Sequence, residues 1–345
     1  MTAWGILSTA RINRLVLAGA RESELVDVVA VASRELTRAE AHAREHGLER
    51  AYGGYDQLLE DPAVEAVYIS LPNSLHVEWT IRALEAGKHV LCEKPLSRTA
   101  RAVEEAFDLA ERKGLVLSEG LMWRHQPQTA TLSRLVAEGA IGRLRLIRVA
   151  FSLRLAAEYG PDDARFRPEL DGGSLMDVGC YCVSAIRLLA GEPDRVYGEQ
   201  VLGESGVDVG FAATLRLPDD VVALFDCGFA VPYRDELEIV GDEGSLFAGD
   251  PFHADPPGIE LRRGHERGGI DLEDVPVAPA NAYARQLQNV TGAILGREAL
   301  LVGRDDAVGQ ARTIEALYWS AETGLPVELA ASSTSQPTHA TGAHP

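Results

Sequence analysis

The chain has 345 residues, 46% of them apolar, and 33 basic against 52 acidic side chains give a formal net charge of −19. That acidic balance argues against nucleic acid and anionic membrane as partners, because both demand a basic footprint. The length allows one or two domains with full cores, and no apolar run approaches the ~18 residues of a membrane span. Four cysteines (Cys92, Cys180, Cys182, Cys227) do not make a disulfide framework. The N-terminus enters a strand-like segment without a basic and apolar leader, so reduced thiols and a cytoplasmic location are expected.

In chain order, short apolar runs alternate with helical stretches over the first ~120 residues, the βαβ signature of a parallel sheet. Strands are expected at Trp4–Leu7, Val26–Ala32, Ala66–Ser70, His89–Cys92 and Val116–Glu119. Helices are expected at Ile12–Ala20, Arg38–Glu45, Tyr55–Leu59, Ser74–Ala86 and Thr99–Arg112. Right-handed crossovers would assemble these units into a doubly wound sheet. After Pro127 the texture changes. A helix (Thr129–Glu138) leads to LRLIRVAFSLRL and then to a glycine-opened helix, GGSLMDVGCYCVSAIRLLAG. Four strand-like runs follow, RVYGEQVLG, VGFAATLRLP, VVALFDCGFAV and ELEIVGDEGSLFAG, separated by turn residues. This half reads as a largely antiparallel sheet with helices on one face. A last helix is expected from about Asp305 to Thr323, and the tail from 332 to 345 has the composition of a disordered segment. The expected division is residues 1–121, 122–331 and 332–345.

The stretch GILSTARIN follows the first strand, where a dinucleotide fold carries its G-x-G-x-x-G loop, but Ser8, Ala10 and Asn13 stand at the glycine positions. Serine and alanine keep much of the room, and the Ser8 and Thr9 hydroxyls could donate to phosphate. Arg11 could add charge, and the helix beginning near Ile12 adds amides and a dipole. An ordinary strand-turn-helix fits the stretch equally well. Strand two ends in Ser33-Arg34, about 20 residues further on, where an NAD site carries an acid for the ribose 2′-hydroxyl. A hydroxyl and a guanidinium, with Arg38 a turn later, suit a 2′-phosphate instead. The plainer alternative is a helix cap and a solvated arginine.

Strand four reads KHVLCEKPLS, which sets Glu93 and Lys94 at the carboxyl edge of the sheet, where such folds bind ligands, with Pro95 locking the chain behind them. In GGSLMDVGCYC a helix starting near Ser174 would put Asp177 and Tyr181 on one face at i and i+4. Moving a hydride to or from a carbinol carbon requires one proton to move as well. A lysine ammonium beside a tyrosine lowers its pKa of about 10, and Asp177 could fix that lysine. A core tyrosine and a dipole-partner aspartate remain the alternative. Leu71, Pro72, Asn73 and His76 follow strand three and could line the ribose and nicotinamide side, and Trp123-Arg124 could touch cofactor or pack a domain junction. Cys180 and Cys182 lack the companions of a zinc site, so no metal is expected.

Taken in order, WGILSTARI, SLPNSLHVEWTIRALEAGKHVLCEKPLS, MWRHQP and GGSLMDVGCY make the chain similar to the glucose–fructose oxidoreductase / myo-inositol dehydrogenase (Gfo/Idh/MocA) family, from Trp4 to about Leu329. The resemblance implies a Rossmann domain followed by an α+β domain with a large, mostly antiparallel open sheet that often forms a dimer face. It also implies that Lys94 is catalytic and that Asp177 belongs to the second-domain motif. The S-T-A loop, and Tyr181 where many members have histidine, resemble the branch of NADP-dependent D-xylose 1-dehydrogenases and dimeric dihydrodiol dehydrogenases, with a lysine–tyrosine pair for the proton. The expected activity is NADP(H)-dependent oxidation of an aldose at C1 to a lactone by a homodimer or higher homo-oligomer. A trans-dihydrodiol dehydrogenase, a keto- or anhydro-sugar reductase and a non-catalytic nucleotide sensor are the alternatives.

Overall fold

The computed structural model describes residues 1–264 and 269–329, so the tail from 332 lies outside the described residues. The N-terminal half contains strands β1 (Thr2–Leu7), β2 (Val26–Ala32), β3 (Arg50–Tyr52), β4 (Ala66–Ile69), β5 (His89–Glu93) and β6 (Leu117–Gly120). Helices α1 (Asn13–Arg21), α2 (Leu36–His46), α3 (Tyr55–Leu59), α4 (His76–Glu85) and α5 (Ala100–Lys113) alternate with them. The six strands are parallel in the order β3-β2-β1-β4-β5-β6. This is the doubly wound Rossmann order. Period-two burial makes the sheet two-sided. On β1 and β4, Trp4, Ile6, Ala66 and Tyr68 enter one core while Leu7, Val67 and Ile69 enter the other. Each such Ile or Leu taken fully out of water stabilises the fold by about 1.5–3 kcal/mol. Strand β3 was not expected: three residues at a sheet edge carry no readable alternation.

The C-terminal half contains α6 (Pro127–Ala137), β7 (Leu144–Arg154), α7 (Leu155–Tyr159) and α8 (Cys180–Ala190). Strands β8 (Arg195–Leu202), β9 (Asp208–Arg216), β10 (Val222–Gly228), β11 (Ala230–Gly241) and β12 (Ser245–Ala248) come next. The chain continues through β13 (Ile259–Gly264), β14 (Ile270–Val275), α9 (Ala282–Ile294), α10 (Arg304–Thr323) and β15 (Val327–Glu328). Nine strands form one sheet, β14-β13-β12-β11-β7-β10-β9-β8-β15, in which the β7–β10 pair is parallel and the other pairs are antiparallel. Phe151, Phe225, Phe211, Leu237 and Ile239 face α8 and α10 in the core. Between them on the same strands, Arg148 and Leu224 are exposed, so the opposite face is left uncovered within the chain.

Two elements depart from the expected division. Helix α9, which the sequence reading did not identify, sends Leu287 and Val290 into the Rossmann core. Its backbone lies so close to α1 that a side chain at Gly19 would meet the Ala284 nitrogen at 2.6 Å. Helix α10 joins both halves: Ala307, Val308 and Ala311 belong to the first core, Ile314 and Leu317 to the second. The stretch Pro168–Ala190 is long and apolar enough to cross a membrane by composition, contrary to the sequence expectation, but its most apolar window is 78% buried in the protein.

Candidate active site

The two halves meet over the carboxyl ends of β1, β4 and β5. Lys94 follows β5 directly, before a cis peptide to Pro95. Its ammonium donates to the Asp177 carbonyl at 2.7 Å and to Asp177 Oδ1 at 3.0 Å. An ammonium has three donors, so one stays free for a ligand oxygen. Asp177 does not sit in the α-helix expected from Ser174 onward. Residues Leu175–Gly179 form a π-turn, and α8 begins only at Cys180. Such widened turns recur at functional sites. The turn is anchored by Asp208, which accepts from Ser174 Oγ and the Leu175 amide at 2.7 Å each and from Tyr318 at 2.9 Å. Gly173 enters it at φ 123°, where a Cβ would also collide with Asp208.

A second cation reaches Asp177. Arg165 Nη1 lies 3.3 Å from Asp177 Oδ2, while the rest of its guanidinium forks onto Asp163 at 2.8 and 3.2 Å. Burial alone would raise the Asp177 pKa, yet Lys94 and Arg165 hold it below the usual carboxylate range. Burial would likewise lower that of Lys94, and Asp177 outweighs it, so the lysine stays charged. Arg165 also stacks 4.1 Å from the Tyr159 ring, whose neighbour at 5.3 Å is Arg11 of the β1–α1 loop. Residues after β7 thereby connect that loop to Asp177.

Tyr181 is 8% exposed, and Lys94 Nζ lies 5.0 Å from its ring centroid. Phe151 and Phe252 pack against it at 5.5 and 5.2 Å. Its hydroxyl forms no hydrogen bond among the described residues. The expected lowering of its pKa by Lys94 does not occur in this arrangement. Burial pushes the phenol well above its ordinary value, and the field of the ammonium that could oppose this is offset by the paired Asp177 carboxylate.

The β1–α1 loop replaces glycine with side-chain hydrogen bonds. Ser8 adopts φ 127°, a conformation that favours glycine. Its hydroxyl donates to the Ser70 carbonyl at 2.9 Å and accepts from the Ala10 amide at 3.1 Å. Asn13 is fully buried; it donates to the Ser8 carbonyl at 2.9 Å and accepts from Ser70 Oγ at 2.7 Å. Ser8 therefore shapes the loop and does not offer its hydroxyl to phosphate, a correction to the sequence reading. The sequence showed Asn13 only as a missing glycine. Thr9, Arg11 and Ile12 remain at the mouth, none of them fully buried. At the end of β2, Ser33 is buried and does not cap α2, whose N-cap is Glu35. Arg34 and Arg38 are exposed, both act electrostatically on Tyr55, and neither makes an ion pair among the described residues. Arg38 reaches Thr9 Oγ1 at 3.5 Å. Two uncompensated cations beside a helix N-terminus fit a dinucleotide carrying a 2′-phosphate.

Other expected contacts are committed elsewhere. Each ring nitrogen of His76 lies 2.8 Å from a backbone carbonyl, of Pro95 and of Leu71, so this histidine ties the Lys94–Pro95 turn to the loop after β4. Asn73 donates across the cleft to the Asp171 carbonyl at 2.9 Å, with Leu71 buried and Pro72 half-buried beside it. Glu93 accepts from Tyr68 at 2.6 Å and from the Lys94 amide at 3.3 Å, and burial pushes its carboxyl up. Trp123 is interior, donating to Ser184 at 3.3 Å, and Arg124 pairs with Asp306. Both belong to the domain junction and not to an open cofactor surface. All four cysteines are buried free thiols. A hollow of about 400 Å³ at the end of the large sheet, bordered by Ser152, Asp226, Tyr233 and Arg234, includes none of Lys94, Asp177 and Tyr181.

The sequence reading missed Arg165 and Asp163, whose only signal was charge just ahead of the GG turn. It also missed the buried Glu119, which accepts from the Leu96 amide at 2.8 Å behind the lysine turn.

Comparison with known proteins finds relatives that match most of the chain. A D-xylose 1-dehydrogenase (NADP(+)) 2 of Haloferax volcanii is 38% identical over 94% of this chain and 99% of its own. A dTDP-3,4-didehydro-2,6-dideoxy-alpha-D-glucose 3-reductase of Streptomyces violaceoruber is 37% identical over 82% of this chain and 88% of its own. The crystal structure of a 3-ketoreductase from Actinomadura kijaniata with NADP and TDP-benzene superposes with a TM-score of 0.85 at 30% identity, covering 92% of this chain and 97% of that one. Residues 4–121 match the model of the oxidoreductase family with NAD-binding Rossmann fold and residues 129–247 that of the GFO/IDH/MocA C-terminal domain, so the chain belongs to the GFO/IDH/MocA family of oxidoreductases.

Proposed function

We propose that this protein is an NADP-dependent dehydrogenase of sugars or cyclic polyols, and that its preferred reaction oxidises an aldopyranose at the anomeric carbon to a lactone. The observation that carries the reading is the Lys94–Asp177 ion pair across the domain cleft, with the Tyr181 ring 5.0 Å from the ammonium. Arg34 and Arg38 would hold the 2′-phosphate, and Thr9, Arg11 and the start of α1 the pyrophosphate. When bound, the nicotinamide supplies the hydride acceptor or donor. Asp177, itself held ionised and in place by Arg165, keeps the Lys94 charge, and the free N–H of Lys94 binds the reacting oxygen. Tyr181 exchanges the proton of that oxygen through its unpaired hydroxyl. The D-xylose dehydrogenase relative, similar over nearly its whole length, supports the aldose assignment.

One observation favours a second reading. The 3-reductase relative is 37% identical over 82% of this chain, and the Tyr181 phenol, protonated at neutral pH, would serve as the proton donor in reduction of a keto-sugar. The test is absorbance at the reduced-nicotinamide band. NADP+ or NAD+ is offered with aldopentoses, inositols and a trans-dihydrodiol, and NADPH with keto-sugars. Turnover with NADP+ and an aldopentose is expected. Turnover with keto-sugars alone selects the second reading, and NADPH binding without any turnover leaves a nucleotide sensor. The same proposal includes a homodimer joined through the uncovered face of the nine-stranded sheet, which light scattering would register as twice the chain mass.

A further inference from the structure

Beyond Tyr181 the second domain carries a polar cluster that the reaction does not use. Tyr233 lies where β11 departs from register against β7, and His253 lies in the turn after β12. Tyr233 Oη is 3.1 Å from Asp235 Oδ2 and 3.1 Å from His253 Nδ1. That same Nδ1 lies 3.3 Å from Asp235 Oδ2 and 3.5 Å from Asp250 Oδ1. Gln126, buried itself, fixes the turn by donating to the carbonyls of Phe252 and His253 at 2.9 and 2.8 Å. Asp250 fixes it from the other side by accepting from the amides of His253 and Asp255 at 3.0 and 2.9 Å.

Burial within the cluster is uneven. The Asp235 side chain is 0% exposed and its Oδ1 is unpaired, whereas His253 is 45% and Tyr233 59% exposed. Two carboxylates underneath thus hold two hydrogen-bonding groups at the surface. His253 Nδ1 is engaged within the cluster, and its Nε2 has no partner among the described residues. Phe151 connects the cluster to the reaction centre, its ring 5.8 Å from His253 and 5.5 Å from Tyr181. The two rings are therefore no farther apart than these distances combined, a span that one sugar ring bridges with hydrogen bonds at each end.

We propose that Tyr233 and His253, held by Asp235 and Asp250, form the subsite that takes the hydroxyls of an uncharged polyol remote from the carbon reacting at Lys94 and Tyr181. The inference rests on the sugar-dehydrogenase reading above. Charge defines the ligand class. The carboxylates hold His253 protonated up to about pH 9, against the effect of burial, so one cation faces two acids. The cluster is net negative at neutral pH and disfavours phosphate, nucleotide and carboxylate substituents on the sugar. His253, Asp235 and Asp250 could also ligate a divalent cation in place of the proton, so metal binding is one of the outcomes tested below.

The test uses D-xylose, measured both by turnover with NADP+ and by calorimetric binding to the NADPH complex. Y233F and H253Q are each expected to raise the D-xylose KM and Kd about tenfold, the effect of one lost hydrogen bond to the ligand, while kcat falls less and NADP+ affinity is retained. Y233F removes one hydroxyl from a residue that is 59% exposed, and thermal denaturation beside wild type confirms that the variant is folded. Wild-type turnover with unchanged KM and Kd in both variants overturns the subsite and leaves the dehydrogenase reading standing. Tighter binding of D-xylose 5-phosphate than of D-xylose overturns the ligand class. Thermal stabilisation by Mn²⁺ or Zn²⁺ that D235N abolishes makes the cluster a metal site instead. A wild type that neither binds nor oxidises any neutral polyol refutes both readings together.

Discussion

Replacing Asp177 with Asn probes the centre of the site most directly. The carboxylate contacts Lys94 at 3.0 Å and Arg165 at 3.3 Å, with side-chain exposures of 13%, 16% and 26% for Lys94, Asp177 and Arg165. Removing one partner of a buried ion pair costs about 3–5 kcal/mol, because the surviving charge stays buried without compensation. Part of that loss is offset here. The Asp177 carbonyl still accepts from Lys94 at 2.7 Å, and Arg165 retains Asp163. A net destabilisation of about 2–4 kcal/mol is expected at pH 7, measured by urea denaturation. Its pH dependence follows from the signs of the two shifts. The Asp177 pKa is depressed below its unfolded value of 3.8, so its contribution is present above pH 3.8 and is lost as pH falls through the folded pKa. The Lys94 pKa is raised above its unfolded value of 10.5, so its contribution is present below that pH and is lost as pH rises through the folded pKa. The difference between wild type and variant should thus be greatest between pH 4 and 10 and shrink on either side. In the variant, burial without a carboxylate lowers the Lys94 pKa, so the lysine should be acylated faster at pH 8, read by mass spectrometry. Turnover should fall about 100-fold or more, as for loss of a preorganised charge at the reacting oxygen. Equal stability of the two proteins at pH 7, with unchanged acylation of Lys94, would refute the argument.

R34A should weaken NADP+ about 10- to 100-fold and leave NAD+ within about twofold, since a charge-assisted hydrogen bond to phosphate contributes about 1.5–3 kcal/mol and Arg38 remains. Equal loss for both dinucleotides by calorimetry would remove the 2′-phosphate assignment. Y181F should lower turnover by about 100-fold or more with NADPH affinity retained. Because burial raises the phenol pKa, wild-type oxidation should still be accelerating with pH at the alkaline end of its range, and a profile already flat at pH 7 would exclude Tyr181 as the base. Burial raises the Glu119 carboxyl from its unfolded 4.5 to about 7, and its Oε2 has no partner. The folded state then binds more protons than the unfolded state between these values, so stability falls as pH rises through that window, by about 3 kcal/mol at most. E119Q should remove this slope and be the more stable protein at pH 8, and an unchanged slope by denaturation would show that Glu119 does not titrate there.

The order of the elements was legible in the sequence because burial repeats locally. Alternation on β1 and β4, and 3.6-residue spacing on α5, are visible within a dozen residues and do not depend on what lies opposite. Lys94, Asp177 and Tyr181 stood out as candidates for another reason: their motifs sit at a strand end and at a glycine-opened turn, positions that a ligand-binding cleft uses. The short edge strand β3 and the helix α9 were not legible, since the first lacks alternation and the second buries Leu287 and Val290 against a sheet more than about 190 positions earlier.

What the sequence alone determined, then, is which segments have an inside, and which reactive side chains lie at their ends. Tertiary structure decided what those side chains do. The Lys94–Asp177 contact joins residues 83 positions apart, and its carboxylate offsets the charge of the ammonium that was expected to act on Tyr181. Ser8, expected as a phosphate donor, turns its hydroxyl to the Ser70 carbonyl, 62 positions away, in a turn where its own φ is 127°. Arg124 has its partner in α10, 182 positions on, whereas Arg34 and Arg38 have none among the described residues. Side-chain identity specifies which hydrogen bonds and charges are available. Burial and the choice of partner, which arise only when distant segments meet, determine which of them remain free to bind and react.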